Sequence, residues 1–351
     1  MKPQFERHKL IPEWNQKKLE QALVIIVGMG ALGNEVIRLL AFAGIRQFII
    51  CDPDQVSVSN LSRCSLFKET DIDQKKVDVV KQNLTEFIAD LAIDTRDSVF
   101  INSIGLGEIQ EADLVISAVD SDQTRIEIAG RCNLVQTPYI DGGTQAWGGE
   151  VRLFMNVEHA CYACEQLSSQ SGRASCSTEA VSPVIGASIL MTSFVGSIMA
   201  TFAIRHLMGL FSESFYIRVN GITGMTHKVF VKRDPNCMLH VPIQEEITLV
   251  PINREARIKD LLTYLPKQAI ALLWHEHPIH QKCHNCGDIN TDHQLFDRLQ
   301  LCKKCGWNYM LHTETVLNQF PESFTLKEVG IPPKEMIPIH TNGEISYFQI
   351  Q

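Results

Sequence analysis

Residues 23–76 read LVIIVGMGALGNEVIRLLAFAGIRQFIICDPDQVSVSNLSRCSLFKETDIDQKK, and this stretch decides the fold. An apolar run ends in Gly28, Gly30 and Gly33, the pattern of a strand, a tight glycine turn and a helix whose N-terminus lets backbone approach phosphate. Asn34 to Phe42 places apolar residues at helical spacing, and Gly44 terminates the helix. QFIICD then reads as a second strand finishing at Asp52, which lies 24 residues beyond Gly28. A carboxylate at that distance is placed to grip ribose hydroxyls. An NAD-dependent oxidoreductase shares every feature up to this point.

The residues that follow separate the readings. A nicotinamide cofactor carries one pyrophosphate, whereas adenylyl transfer from ATP must hold a triphosphate and the charge that develops at its α-phosphorus. Asn60, Arg63 and Lys76, an amide and two cations after the ribose carboxylate, suit the second task. The run DPDQVSVSNLSR followed by QKKVDVV resembles the ThiF/MoeB family, the ubiquitin-activating-type adenylyltransferases, whose pattern is D-x-D-x-V-x-x-x-N-x-x-R and then a lysine. The resemblance spans roughly residues 4–240. It implies a Rossmann-like mixed α/β sheet, MgATP as cofactor, and a partner that is a small ubiquitin-like or sulfur-carrier protein.

It also assigns roles residue by residue. RHKLIP resembles the family run that carries an arginine into the partner subunit's ATP site, so the resemblance implies a homodimer with Arg7 acting in trans; a solvated surface arginine is the plain alternative. ADLVISAVD is an apolar strand ending in Asp120, and a carboxylate there lies at the mouth where open α/β sheets bind ligands. In the family this aspartate binds magnesium; the alternative is a helix cap. Arg125 falls on a recurrent family position, while Ser121 replaces the usual asparagine after Asp120.

Composition sets outer bounds. The 351 residues, 45% of them hydrophobic, suffice for two domains with real cores. We expect an adenylyltransferase domain at 1–244 and an accessory domain at 245–351. A net charge of −8 leaves no electrostatic footprint for nucleic acid. No lysine-rich run suggests a membrane surface. MKPQFERHKLIPEW has no apolar signal region, so a cytoplasmic protein is expected and its eleven cysteines are expected to be reduced. Between Glu179 and Arg205, 25 residues carry no formal charge, long enough to span a bilayer. Ser, Thr and Gly punctuate this run and Pro183 stands near its start, so a helix buried all round, inside a large core or a dimer interface, is expected in place of a membrane span.

Along the chain, residues 1–22 read as an N-terminal helix. The pattern predicts a helix from Val77 to Leu91, a short strand at Val99 to Asn102, and two strands with a glycine-rich connection in TPYIDGGTQAWGGEVRLFMN. The sheet therefore turns partly antiparallel. FYIRVN and MTHKVFVKR supply two more strands. Gly142 and Gly143 suit either close approach of an extended peptide or turn chemistry. A helix is expected near Arg254 to Trp274.

Cysteine spacing points to metal. Cys161 and Cys164 form C-Y-A-C, and Cys237 with His240 forms C-M-L-H. Two such knuckles supply four ligands for a closed tetrahedral Zn2+. Reduced buried cysteines are the alternative. Cys283, Cys286, Cys302 and Cys305 follow C-x2-C-x15-C-x2-C, the spacing of a zinc ribbon that folds around its own metal. Cys51, Cys64 and Cys132 lie in or near apolar segments and are expected to be inert. Cys176 stands alone in GRASCSTEAVSP, where some members of the family carry the cysteine that takes the activated acyl group.

The expectation is therefore MgATP-dependent adenylylation of the C-terminal carboxylate of a ubiquitin-like or sulfur-carrier protein. Thioester formation on Cys176 and a downstream conjugating partner would follow. Competing readings are adenylation of a peptide or small-molecule carboxylate by the same fold, a carbamoylated tRNA base disfavoured by the acidic composition, an NAD-dependent oxidoreductase, and an inactive scaffold.

Overall fold

The computed structural model describes residues 3–155, 158–164, 186–290 and 301–351. The chain divides into two compact units, Met1–Phe100 with Ile109–Ile243, and Ile101–Glu108 with Gln244–Gln351.

The first unit is built on an eight-stranded sheet. Its strands are β1 (Leu23–Val27), β2 (Gln47–Cys51), β3 (Ala92–Arg96), β4 (Leu114–Ser117), β5 (Tyr139–Gln145), β6 (Gly148–Phe154), β7 (Phe215–Asn220) and β8 (Met225–Val229). They lie in the order β3-β2-β1-β4-β5-β6-β7-β8. Pairing is parallel from β3 to β5 and antiparallel from β5 to β8. The central parallel strands β1 and β4 are the apolar runs LVIIV and LVIS, as strands covered on both faces require, while the edge strand β3 is the more polar AIDTR.

The glycine turn leads into α2 (Ala31–Ala43), which Gly44 ends in the left-handed conformation. Helix α3 (Lys76–Phe87) stops where Ile88 turns extended. The expected strand at 99–102 is not formed: β3 lies at Ala92–Arg96 and residues Phe100–Ser103 make a helical turn, α4. The in-register pairing of Phe48 with Ile93, whose side chain β3 buries, decides the placement. The N-terminal segment is likewise broken into two 3-10 turns, Pro3–Phe5 and His8–Leu10, and α1 (Gln16–Gln21). Pro12 lies between the last two pieces and cannot continue a helix.

The uncharged run forms the helix Ile189–Leu207, which is long and apolar enough to cross a membrane. In this fold it buries Met191, Val195, Met199 and Ala203 in the core shared with α2 and the sheet, while Leu190, Phe194 and Thr201 are exposed, so the helix is buried on one face and not all round as expected. Gly142 makes room for it, since a Cβ at that position would stand 2.2 Å from the Met199 sulfur. Packing of a core helix accounts for this glycine without any bound peptide.

The second unit carries β9 (Ile247–Leu249), β10 (Ile270–Cys283), β11 (Ile289–Asn290), β12 (Tyr309–Val316), β13 (Met336–Thr341) and β14 (Glu344–Gln349). They are arranged β11-β10-β13-β14-β9, with β12 paired to β10. The helix expected over 254–274 is confined to Ile258–Leu262. Pro266 follows closely, and the alternating IALLWHEHPIHQKC after it makes β10 instead. Val250, Ile258, Leu261, Leu326, Ile337 and Ile339 form the core of this unit. It also captures Ile101–Glu108 from the connection between β3 and β4. The Gly107 amide donates to the Lys334 carbonyl at 2.9 Å, and a Cβ on Gly105 would stand 1.8 Å from the Pro333 carbonyl oxygen. No apolar period in the sequence signals this capture, because it rests on backbone contact.

Candidate active site

The C-terminal ends of β1, β2 and β4 meet at the glycine turn. Gly28 has φ +93°, and a Cβ there would stand 2.6 Å from the Ala118 carbonyl oxygen, so the turn lies directly against the segment that leaves β4. Gly33 is packed as closely, its absent Cβ falling 1.8 Å from the Gly28 carbonyl oxygen. Gly30 caps α2 and faces open space. This pattern leaves backbone amides at a helix N-terminus accessible to an anion.

Asp52, buried beside the turn, accepts the Met29 amide at 2.7 Å and the Asp54 amide at 2.9 Å. Burial raises its pKa above the usual carboxylate value, although the Lys76 ammonium and both amides oppose this. Lys76 opens α3 and is itself buried. Its Nζ donates to Asp54 Oδ2 at 2.7 Å and lies 3.6 Å from Asp52 Oδ1. Arg63 donates to the Ser59 carbonyl. Asn60 is buried and accepts the Ser57 amide at 3.0 Å, which closes the 3-10 turn Val58–Asn60. Cys64 lies within electrostatic reach of Arg63, Lys76 and Asp52. Burial pushes its thiol up to about 11, so at neutral pH it is a packing residue and not a nucleophile.

One contributor escaped the sequence reading. Asn34 is fully buried; its Nδ2 donates to the Met29 carbonyl at 2.8 Å and its Oδ1 accepts the Leu66 amide at 3.1 Å. It thereby ties the glycine turn to the loop that carries Arg63. The signal was an amide set among the apolar residues of α2.

Asp120 follows β4 and is exposed. The cap of α5 (Asp122–Leu134) is Ser121, whose hydroxyl accepts the Thr124 amide at 3.3 Å. The helix therefore does not use the Asp120 carboxylate as its cap. Arg125 is held among Asp141, 3.4 Å away, the Val119 carbonyl at 2.8 Å and the Gly142 carbonyl at 3.3 Å.

Arg7 lies elsewhere in its own chain. The nearby Phe5 ring packs under Arg46 and beside Gly44, at the far end of α2 from the glycine turn. Thirteen helical residues separate those ends by about 20 Å. Arg7 is exposed there. Cys176 falls outside the described residues.

Both cysteine sets converge. Cys161, Cys164, Cys237 and His240 are all buried, with their ligand atoms within 4.8 Å of one another. The sulfurs of Cys161 and Cys164 are 3.9 Å apart, those of Cys161 and Cys237 3.7 Å, and Cys164 Sγ is 3.1 Å from His240 Nε2. A tetrahedron of sulfurs about zinc has edges of about 3.8 Å, so the donor set and spacing fit that ion. Cys283, Cys286, Cys302 and Cys305 form the second set, with sulfur separations of 3.4 and 3.5 Å. Tyr309 and Lys304 both donate to Asp288 beside it, at 2.7 and 2.6 Å. Either set can hold one tetrahedral cation without an open position, which suits a structural role.

Residues 2–239 match the model of the ThiF family. The sulfur carrier protein ThiS adenylyltransferase of Escherichia coli K12 is 29% identical over 225 residues, covering 63% of this chain and 87% of that protein. The molybdopterin-synthase adenylyltransferase of the same strain is 26% identical over 226 residues, covering 63% of this chain and 88% of that protein. Among solved structures, E. coli MccB with ATP shares the fold at a TM-score of 0.56 and 22% identity, covering 68% of this chain and 74% of that one.

Proposed function

Since the chain belongs to the ThiF family, we propose that it activates the C-terminal carboxylate of a small sulfur-carrier or ubiquitin-like protein by MgATP-dependent adenylylation. A carboxylate oxygen of the carrier attacks the α-phosphorus of ATP, the bond to the β-phosphate oxygen breaks, and pyrophosphate leaves with its electron pair. The products are an acyl-adenylate and pyrophosphate. A carboxylate is already a nucleophile, so no general base is needed; positioning and charge neutralisation supply the catalysis.

The observation that carries this reading is the placement of Lys76 beside Asp52 at the glycine turn. Asp52 would hold the ribose. Lys76 now pairs with Asp54, whose side chain is 67% exposed, and exchanging that partner for phosphate costs little. Arg63 and Asn60 complete the phosphate site in this assignment. Asp120 would ligate the magnesium ion, which supplies charge neutralisation at the phosphates. Arg7, whose neighbour Phe5 packs at the far end of α2 from the glycine turn, would serve a second copy of the chain in a homodimer. The two cysteine sets would each hold a structural zinc ion.

Titration calorimetry with ATP and with NAD tests the reading. Micromolar ATP binding in magnesium that Lys76→Ala abolishes is expected; NAD binding without ATP binding would reject it.

Cys176 is assigned the next step: its thiolate attacks the adenylate carbonyl, AMP leaves, and a thioester forms. A thiol-sensitive conjugate on a non-reducing gel that disappears in Cys176→Ala is expected. A conjugate that persists in the variant would remove Cys176 from the mechanism.

A further inference from the structure

Two cysteines of the first set flank a tyrosine that touches the segment carrying Asp120. Tyr162 sits between Cys161 and Cys164 and is 1% exposed. Its hydroxyl donates to Asp122 Oδ1 at 2.5 Å, and Arg125 Nη1 lies 3.5 Å from the same hydroxyl. The ring stands beside two guanidinium groups, with Arg125 5.7 Å and Arg152 5.1 Å from its centroid. Arg125 in turn donates to the Val119 carbonyl at 2.8 Å. Asp120 therefore lies on a short segment held on both sides: at Val119 through Arg125, and at Asp122 through the Tyr162 hydroxyl.

Tyr162 gains its own fixity from the cluster. Its amide donates to the Tyr139 hydroxyl at 3.3 Å, and the flanking cysteines join its backbone to Cys237 and His240 across 76 residues of sequence. Arg152 and Arg125 are anchored on Asp141, at 2.9 and 3.4 Å, and the Ser117 hydroxyl at the end of β4 donates to the same carboxylate at 2.7 Å. This lattice of charge-assisted bonds is buried, where such bonds are strongest and tolerate little displacement.

We propose that Tyr162 is a positioning residue that couples the Cys161–Cys164–Cys237–His240 cluster to Asp120, fixing the Asp120 segment for the cation that accompanies ATP. This rests on the assignment of Asp120 to that cation. The cluster then sets magnesium affinity as well as fold stability, and the hydrogen bond to Asp122 is the link. Removing the hydroxyl leaves the ring beside its two arginines and leaves Asp122 the longer 3.9 Å contact with Arg125, which loosens one side of the Asp120 segment.

The test is ATP binding by calorimetry in the full-length, zinc-loaded protein, with and without magnesium, for wild type, Tyr162→Phe, Asp122→Ala and Asp120→Ala. Tyr162→Phe is expected to keep its zinc content and its affinity for ATP in EDTA-free, magnesium-free buffer, while the magnesium concentration that half-saturates the nucleotide complex rises about fivefold. Asp122→Ala, which also loses the 3.9 Å contact with Arg125, should raise it at least as much, and the double variant should show no loss beyond that of Asp122→Ala, because the tyrosine acts through that carboxylate. Equal weakening with and without magnesium would mean a merely structural tyrosine and overturn the proposal. An unaltered magnesium requirement in Tyr162→Phe and Asp122→Ala, with a raised one in Asp120→Ala, would overturn the coupling and leave the assignment of Asp120 standing. An unaltered requirement in Asp120→Ala would remove both. Should Tyr162→Phe fail to fold, Asp122→Ala, on an exposed side chain, decides alone.

Discussion

The Asp52 carboxylate accepts the Met29 amide at 2.7 Å, which bonds the end of β2 to the turn between β1 and α2. The residue assigned to the ribose thus also shapes the loop assigned to the phosphates, and the two tasks share one side chain.

That sharing gives ATP affinity a pH dependence. Burial holds the Asp52 pKa above the ordinary carboxylate value, with Lys76 opposing. The ionised form is the better acceptor for ribose hydroxyls, so affinity should fall as pH drops through the raised pKa. Stability runs the other way for this group. A raised folded-state pKa means the folded chain binds the proton more tightly than the unfolded chain, so acidification through that window relieves a cost. Protonation of Asp52 should therefore weaken ATP binding without itself driving unfolding. Calorimetry across pH, with Asp52→Ala flattening the profile, checks this; a profile unchanged by the substitution would contradict it.

Two glycines of the turn should respond differently to alanine. A Cβ on Gly33 would meet the Gly28 carbonyl oxygen at 1.8 Å, while one on Gly30 meets nothing within 4 Å. Gly33→Ala is expected to cost about 2 kcal/mol or more through overpacking, visible in denaturant unfolding. Gly30→Ala should be nearly neutral in stability and still lose ATP affinity, because its methyl group enters the space that phosphates need. Equal stability losses in the two variants would refute the packing account.

The metal sets should also differ in acid sensitivity. Burial raises the thiols of Cys161 and Cys237. In the second set, despite burial that raises it, the amides of Lys304 and Cys305 hold Cys302 down to about 6, and the Trp307 amide lowers Cys305. Cys286 runs the other way, to about 12 against the Asp288 amide. Metal ligation requires deprotonated thiols, so two low thiols lessen proton competition. The second set should retain zinc to a lower pH. A chromogenic chelator assay on Cys237→Ser and Cys305→Ser, each retaining one intact set, reads the two release curves. Release from the second set first would count against this ordering.

The glycine turn, Asp52 and the cysteine pairs could be read from sequence because each is a local pattern: a fixed spacing, or an apolar run ended by a special residue. What sequence reading missed depends on distant partners. A strand expected at 99–102 forms instead at Ala92–Arg96, where the polar sequence AIDTR buries a single isoleucine, paired to Phe48. The helix expected through Trp274 became β10 because its pairing with β12 and β13 outweighs a helix-compatible apolar run. Asn34 and Tyr162 look ordinary in sequence. Their hydrogen bonds reach Leu66, 32 residues away, and Asp122, 40 residues away.

The most direct test of adenylylation is ATP–pyrophosphate exchange, with radiolabelled pyrophosphate followed into ATP in the presence of a candidate carrier ending in a free carboxylate. Exchange should require both magnesium and the carrier's C-terminal carboxylate. It should fall at least about a hundredfold in Asp120→Ala, whose unfolding transition should match that of wild type. Exchange that proceeds undiminished in Asp120→Ala, or that ignores removal of the carrier's carboxylate, would contradict the account.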